Sequence, residues 1–157
     1  MEVMTRWLTD EEQTTWQSFI RMRQRLDAAI AAGLTRDGLS TSDYEVLVAL
    51  SAAGGQLRAK ELGAEICWDK SRLSKHLSRM AARGLVDRCQ AVDDARGREV
   101  RLTGAGREAL EAAAPNHVEL VRRLFIDDMT AAEAAALRSL AKRVVAEVER
   151  TDVEGIG

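Results

Sequence analysis

The residues with the clearest chemical purpose lie between Asp69 and Met80, in the run Asp69-Lys70-Ser71-Arg72-Leu73-Ser74-Lys75-His76-Leu77-Ser78-Arg79-Met80. Read at helical spacing, Leu73, Leu77 and Met80 share one face and anchor the segment to a core. The opposite face carries Ser71, Ser74, Lys75 and Ser78, flanked by Lys70 and Arg72. Short hydroxyl side chains let a helix approach base edges closely, while lysine and arginine donate to guanine edges and to phosphates. A solvated helix face has a similar composition, so a second feature must decide. That feature is the stretch Asp93-Asp94-Ala95-Arg96-Gly97-Arg98, which sets two arginines around a glycine. A basic, flexible hairpin tip suits a narrow minor groove. Asp94 is placed to brace such a tip by accepting from backbone amides or from an arginine. An ordinary polar turn is the alternative, but a basic tip soon after a Ser/Lys helix favours double-stranded DNA as the partner. The DNA-contact candidates are Lys70, Ser71, Arg72, Ser74, Lys75, Ser78, Arg96 and Arg98, with Asp94 as the bracing residue.

These side chains need a scaffold, and the flanking patterns describe one. Thr9 with Glu12 reads as a capping box opening a first helix, which carries Trp16, Phe19, Ile20, Leu26 and Ile30 and is expected to stop near Gly33. Residues 34–40 read as a loop. Ser42 with Glu45 suggests a second capping box, with Tyr44, Leu47, Val48 and Leu50 as the apolar side and Gly54-Gly55 as the end. A short helix is expected to hold Leu57, Leu62 and Ile66. Asp69 then caps the Ser/Lys helix, which stops at Gly84. Leu85–Cys89 and Glu99–Leu102 flank the basic tip as a small hairpin. Thr103 opens a long helix kinked near Pro115, and Thr130 with Glu133 caps a last helix striped by Leu137, Leu140, Val144 and Val148. The predicted order is four helices, a hairpin and two helices.

Composition agrees with a mainly helical chain. A single proline and only 4% aromatics in 157 residues favour long helices over a sheet sandwich. The net charge is −2, but it is unevenly spread. Residues 56–108 hold twelve Lys/Arg against eight Asp/Glu, and the remainder holds eleven against seventeen. The middle third therefore attracts a polyanion. Cys67 and Cys89 make no disulfide framework, and residues 1–12 have no apolar leader, which together suit a reducing, cytoplasmic setting. No run approaches the ~18 apolar residues of a membrane span.

Four segments together resemble the MarR (multiple antibiotic resistance regulator) family. They are Asp69–Lys75, Met80-Ala81-Ala82-Arg83-Gly84-Leu85-Val86, Asp93–Arg98 and Leu102-Thr103-Gly104-Ala105-Gly106-Arg107. The likeness covers essentially the whole chain and is densest over residues 57–107. One departure is Leu57-Arg58, where the family usually has a small capping hydroxyl. The resemblance implies a mainly α fold with a small β-hairpin wing. It divides the chain into a winged helix-turn-helix over 34–102 and dimerisation helices at 8–33 and 103–153, within one domain spanning 1–157. It also implies a homodimer on a palindromic operator, commonly a repressor, and often release from DNA by a small aromatic or phenolic effector. Leu120, Val121, Leu124 and the apolar stripe of the last helix, with the first helix, are expected to form the subunit interface.

Other candidates carry weaker chemistry. Trp16 and His117 are offered as effector-binding residues, although buried aromatics are more often core and packing is the default for His117. His76 is read as a helix-face or DNA-backbone residue. Cys67 and Cys89 would suit a redox sensor beside the DNA-reading helix, but free cysteine is more often packed. Their spacing with His76 matches no common zinc motif, and no metal or other cofactor is expected. No nucleophile–base–orienter set or phosphate loop points to an enzyme. A winged helix that serves only protein interaction, or a cysteine-based redox regulator, remains the alternative to a ligand-responsive repressor.

Overall fold

The computed structural model describes residues 4–90 and 97–154. It divides at Leu120/Val121 into two compact units. The first contains helices α1 (Asp10–Arg36), α2 (Thr41–Ala52), α3 (Ala59–Ile66) and α4 (Lys70–Ala82), strands β1 (Gln56–Arg58), β2 (Val86–Gln90) and β3 (Arg98–Leu102), and nearly all of α5 (Gly104–Val121). The second holds a π-type turn, Arg122–Ile126, closed by Asp127 N–H donating to Arg122 O at 2.8 Å, and then α6 (Ala131–Glu154).

Local chemistry accounts for the helix ends. Thr9 and Glu12 form the expected capping box on α1, and Thr130 with Glu133 cap α6. Asp69 Oδ1 accepts from Arg72 N–H at 2.9 Å and starts α4, which ends before Gly84 at φ 77°. The α2 box is shifted from the expected Ser42/Glu45 to Ser40/Asp43, with Ser40 N–H donating to Asp43 Oδ2 at 2.9 Å and Asp43 N–H to Ser40 Oγ at 3.0 Å. The shift buries Asp43 and brings Val46 into the core, while Val48 is 41% exposed. Helix α1 also departs from expectation. It runs past Gly33 to Arg36, because Gly33 lies inside the helix beneath Leu120, where a Cβ would come within 2.9 Å of Leu120 Cδ2. A glycine read as a stop is here a packing notch.

A third strand is the other departure. Leu57 belongs to β1, not to the short helix, and the sheet is three-stranded and antiparallel in the order β1-β3-β2. Leu57 stands opposite Val100, and Val86 opposite Leu102. So short a strand has no alternating pattern of its own; pairing with β3 creates it. Thr103 fastens the sheet to α5. Its hydroxyl donates to Gly84 O at 2.6 Å and accepts from Gly106 N–H at 2.9 Å. Helix α5 continues through Pro115 to Val121.

One core joins these elements. Leu34, Val46, Leu47, Leu50, Leu62, Leu73, Leu77, Met80, Val86, Val100 and Ala113 are buried together. Each fully buried Leu or Met contributes roughly 1.5–3 kcal/mol of hydrophobic stabilisation before entropy is subtracted. Three of them, Leu73, Leu77 and Met80, are the anchoring face expected of α4, so the core fixes which side of that helix faces out.

Candidate nucleic-acid interface

Helix α3, a turn and helix α4 form the helix-turn-helix. Arg58 stands at the N-cap of α3, its N–H donating to Glu61 Oε2 at 3.3 Å, so the helix starts at Ala59 without a capping hydroxyl. Cys67 ends α3 with a left-handed backbone, φ 57° and ψ 41°. That reversal lets Trp68 N–H donate to Gly63 O at 2.9 Å and points the chain into Asp69. Lys70, Ser71, Arg72, Ser74, Lys75 and Ser78 are all exposed on α4; Ser71, Ser74, Lys75 and Ser78 lie on the side away from Leu73, Leu77 and Met80, with Lys70 and Arg72 at its flanks.

The structure adds contacts that the sequence pattern missed. Arg88 of β2 reaches this face, its Nη1 donating to Ser78 Oγ at 2.7 Å and its Nη2 to Ser74 Oγ at 3.4 Å. Two of the serines offered as base readers thus also hold a guanidinium. The signal was available: Arg88 shares a strand face with buried Val86, and a cation on an inward face needs acceptors. Arg72 is laid on the indole of Trp68, with Cζ 3.9 Å from the ring centroid. A cleft of about 810 Å³ opens between α3, α4 and the strands, and its described lining includes Arg58, Lys60, Lys70, Arg88 and Arg98 but no carboxylate. Such a lining concentrates positive potential where a phosphate backbone would pass. Arg98 is exposed at the start of β3. Asp94 and Arg96 lie outside the described residues.

His76 is not a helix-face residue. It is buried at 9% exposure, with Nε2 2.9 Å from Asp43 Oδ1. Asp43 Oδ2 accepts from Arg83 Nη1 at 2.7 Å, and Arg83 Nη2 donates to Gly38 O at 3.0 Å. Burial pushes the Asp43 carboxyl up, but hydrogen bonds from Arg83 and Ser40 and the Arg83 charge outweigh it and hold it below the usual carboxylate range. This network clamps α2 to α4.

The effector candidates are apart in their contacts. Trp16 is 54% exposed on α1 and lies against Phe19 at 5.8 Å. His117 is half-buried on α5, 4.5 Å from the Tyr44 ring, with a buried Nδ1 that has no hydrogen-bond partner among the described residues. Burial holds its pKa below the ordinary value and raises that of Tyr44. Cys67 is exposed, against the packing expected of it, and Cys89 is half-buried with Sγ 3.8 Å from Glu99 O. Among the described residues no three His, Cys, Asp or Glu side chains gather as a metal site, and no helix is long and apolar enough to cross a membrane.

Comparison with known proteins supplies the family. A profile described as the MarR family matches residues 37–97. The structure of AbsC, a MarR family transcriptional regulator from Streptomyces coelicolor, superposes with a TM-score of 0.89 at 36% identity, covering 92% of this chain and 99% of that one. Sco3205, a MarR family regulator from the same organism in complex with DNA, gives 0.86 at 35% identity, covering 93% and 92%. A mutant MarR from E. coli complexed with operator DNA gives 0.77 at 25% identity, covering 88% and 99%. No curated protein matches in sequence. With its winged-helix DNA-binding fold and this likeness over nearly its full length, the chain belongs to the MarR family of transcriptional regulators.

Proposed function

We propose that the chain is a homodimeric repressor that binds a palindromic operator, placing α4 in the major groove and the wing against the minor groove. The outward face of α4 carries this reading, because its polar and basic side chains stand exposed beside a cleft with cationic and no acidic described lining. Lys70, Ser71, Arg72, Ser74, Lys75 and Ser78 are the α4 contacts, Arg96 and Arg98 those of the wing, and Asp94 braces its tip. The DNA complexes of Sco3205 and of the E. coli protein support the same use of the fold. The test is a mobility shift on the region upstream of the chain's own gene, followed by footprinting. A symmetric protected site occupied by two subunits is expected. Absence of binding beyond that to random duplex would instead favour a protein-interaction module.

A small aromatic or phenolic effector is the second part of the proposal, supported by the unpartnered Nδ1 of His117 beside Tyr44. Benzoate and simple phenols are the probes. Release of DNA by one of them, lost in His117→Ala, supports the role, with Trp16→Ala testing the other candidate. Redox sensing is the remaining alternative. Cys67→Ser/Cys89→Ser is expected to retain DNA binding, and thiol-reversible loss of binding under peroxide in the parent alone would favour the redox reading.

A further inference from the structure

Arg72 does not stand free on the DNA-reading face. Its guanidinium lies over Trp68, 3.9 Å from the ring centroid, while its own N–H is held by the Asp69 cap. Trp68 is in turn held through both its backbone and its ring. Only 8% of it is exposed, and its backbone N–H is tied to Gly63 O. Gly63 fits so closely that a Cβ there would lie 3.2 Å from the Trp68 carbonyl oxygen. The indole meets His76 edge-on, with centroids 5.4 Å apart at 81°. His76 is hydrogen-bonded to Asp43, which Arg83 secures.

From this chain of contacts we propose that Trp68 is a positioning residue for Arg72, and that the stacked guanidinium, more than its charge, sets the operator preference of α4. The proposal rests on the reading of α4 as the DNA-contacting helix. An arginine loses much rotamer freedom when it is fixed on a base or phosphate. The indole face fixes it before DNA arrives and leaves the N–H edges of the fork free to donate. Lysine at the same position keeps the charge but has no plane to lay on the ring and no fork to present. The indole is buried in the turn and fixed by α2 through Asp43 and His76, so Arg72 is aimed by the core and not by its own helix alone.

The test uses the full chain and two labelled duplexes, one carrying the footprinted site from its own upstream region and one a scrambled sequence of equal length. Arg72→Lys and Trp68→Leu are each expected to weaken binding to the footprinted site about tenfold, as Arg72→Ala does, while binding to scrambled duplex by Arg72→Lys and Trp68→Leu is unchanged. Trp68→Leu/Arg72→Lys is expected to be no weaker than the worse single variant, and Trp68→Phe, which keeps an aromatic face, to retain the preference. Multiplying losses in the double variant, or equal losses on both duplexes, would overturn the positioning role. Should Trp68→Leu fail to fold by circular dichroism, the comparison of Arg72→Lys with Arg72→Ala decides. Equal loss supports the stack, and recovery by lysine overturns it. If the parent binds neither duplex, the regulator reading itself fails; if the parent binds and Arg72→Ala is unaffected, only this inference falls.

Discussion

Lys75 stands outward on α4 with Leu73 and Leu77 behind it, so its substitution removes the proposed DNA contact without touching the core. Lys75→Ala is expected to cost about 1–3 kcal/mol of operator binding and to relax sequence preference, measured as the affinity ratio between specific and scrambled duplex. Unchanged affinity for the combined Ser71→Ala/Lys75→Ala variant would move the reading surface elsewhere. Asp43 makes a different prediction, about stability. Its carboxyl is held below 3.8, so folding gains in full above that pH and loses the gain as pH falls through the lower folded value. Asp43→Asn is expected to cost about 1.5–3 kcal/mol at neutral pH and to flatten the acid limb of the stability curve, read by urea melts from pH 5 downward. A parallel acid limb in both proteins would exclude Asp43 as its source. The two residues also differ in legibility. The outward position of Lys75 follows from periodicity within one helix. The burial of His76 and Asp43 arises from a contact 33 residues apart, which no local pattern announces.

Among the elements, α4 was the most readable, because its cap, its stop and its apolar face are all encoded within the helix and its flanks. Strand β1 was the least, since Gln56–Arg58 becomes a strand only by pairing with Glu99–Arg101. The glycines divide along the same line. Gly33 and Gly106 both lie within helices, yet neither stops one, because each admits a neighbour: Leu120 at Gly33, and the Leu85 carbonyl oxygen at Gly106. The neighbours differ in compliance. The tip of Leu120 can rotate away, whereas a Cβ at Gly106 would drive into the backbone that joins α4 to β2. Gly106→Ala is therefore expected to destabilise by at least about 1–3 kcal/mol. Gly33→Ala should lie near neutrality, its strain offset by about 1 kcal/mol of helix propensity. Thermal melts of the two variants give the comparison, and equal losses would contradict the difference in compliance.

For the molecule as a whole, the telling feature is apolar surface left uncovered. On α6, Leu140, Val144 and Val148 are 50%, 52% and 54% exposed, and on α1 Trp16, Phe19 and Met22 are 54%, 45% and 45% exposed. Stripes of this length mark an association surface, in keeping with the proposed homodimer. Light scattering at micromolar concentration is expected to give twice the chain mass, and Leu140→Asp/Val144→Asp to shift it toward the monomer; a monomeric parent protein would refute the assembly. The stripe on α6 was readable from spacing and was expected at a subunit interface, an expectation that its exposure in the single chain suits. Arg88 carries a consequence for timing. By joining β2 to Ser74 and Ser78 it adds a polar tie between the root of the wing and the proposed DNA-reading helix, which the core already packs together. A duplex meeting the tied pair should lock in a single kinetic step, and stopped-flow traces should stay monoexponential, with a rate linear in duplex concentration. Arg88→Ala removes that tie while the core contact remains, and the same traces should then acquire a slower, concentration-independent phase as the outer part of the strand adjusts to the DNA after the helix.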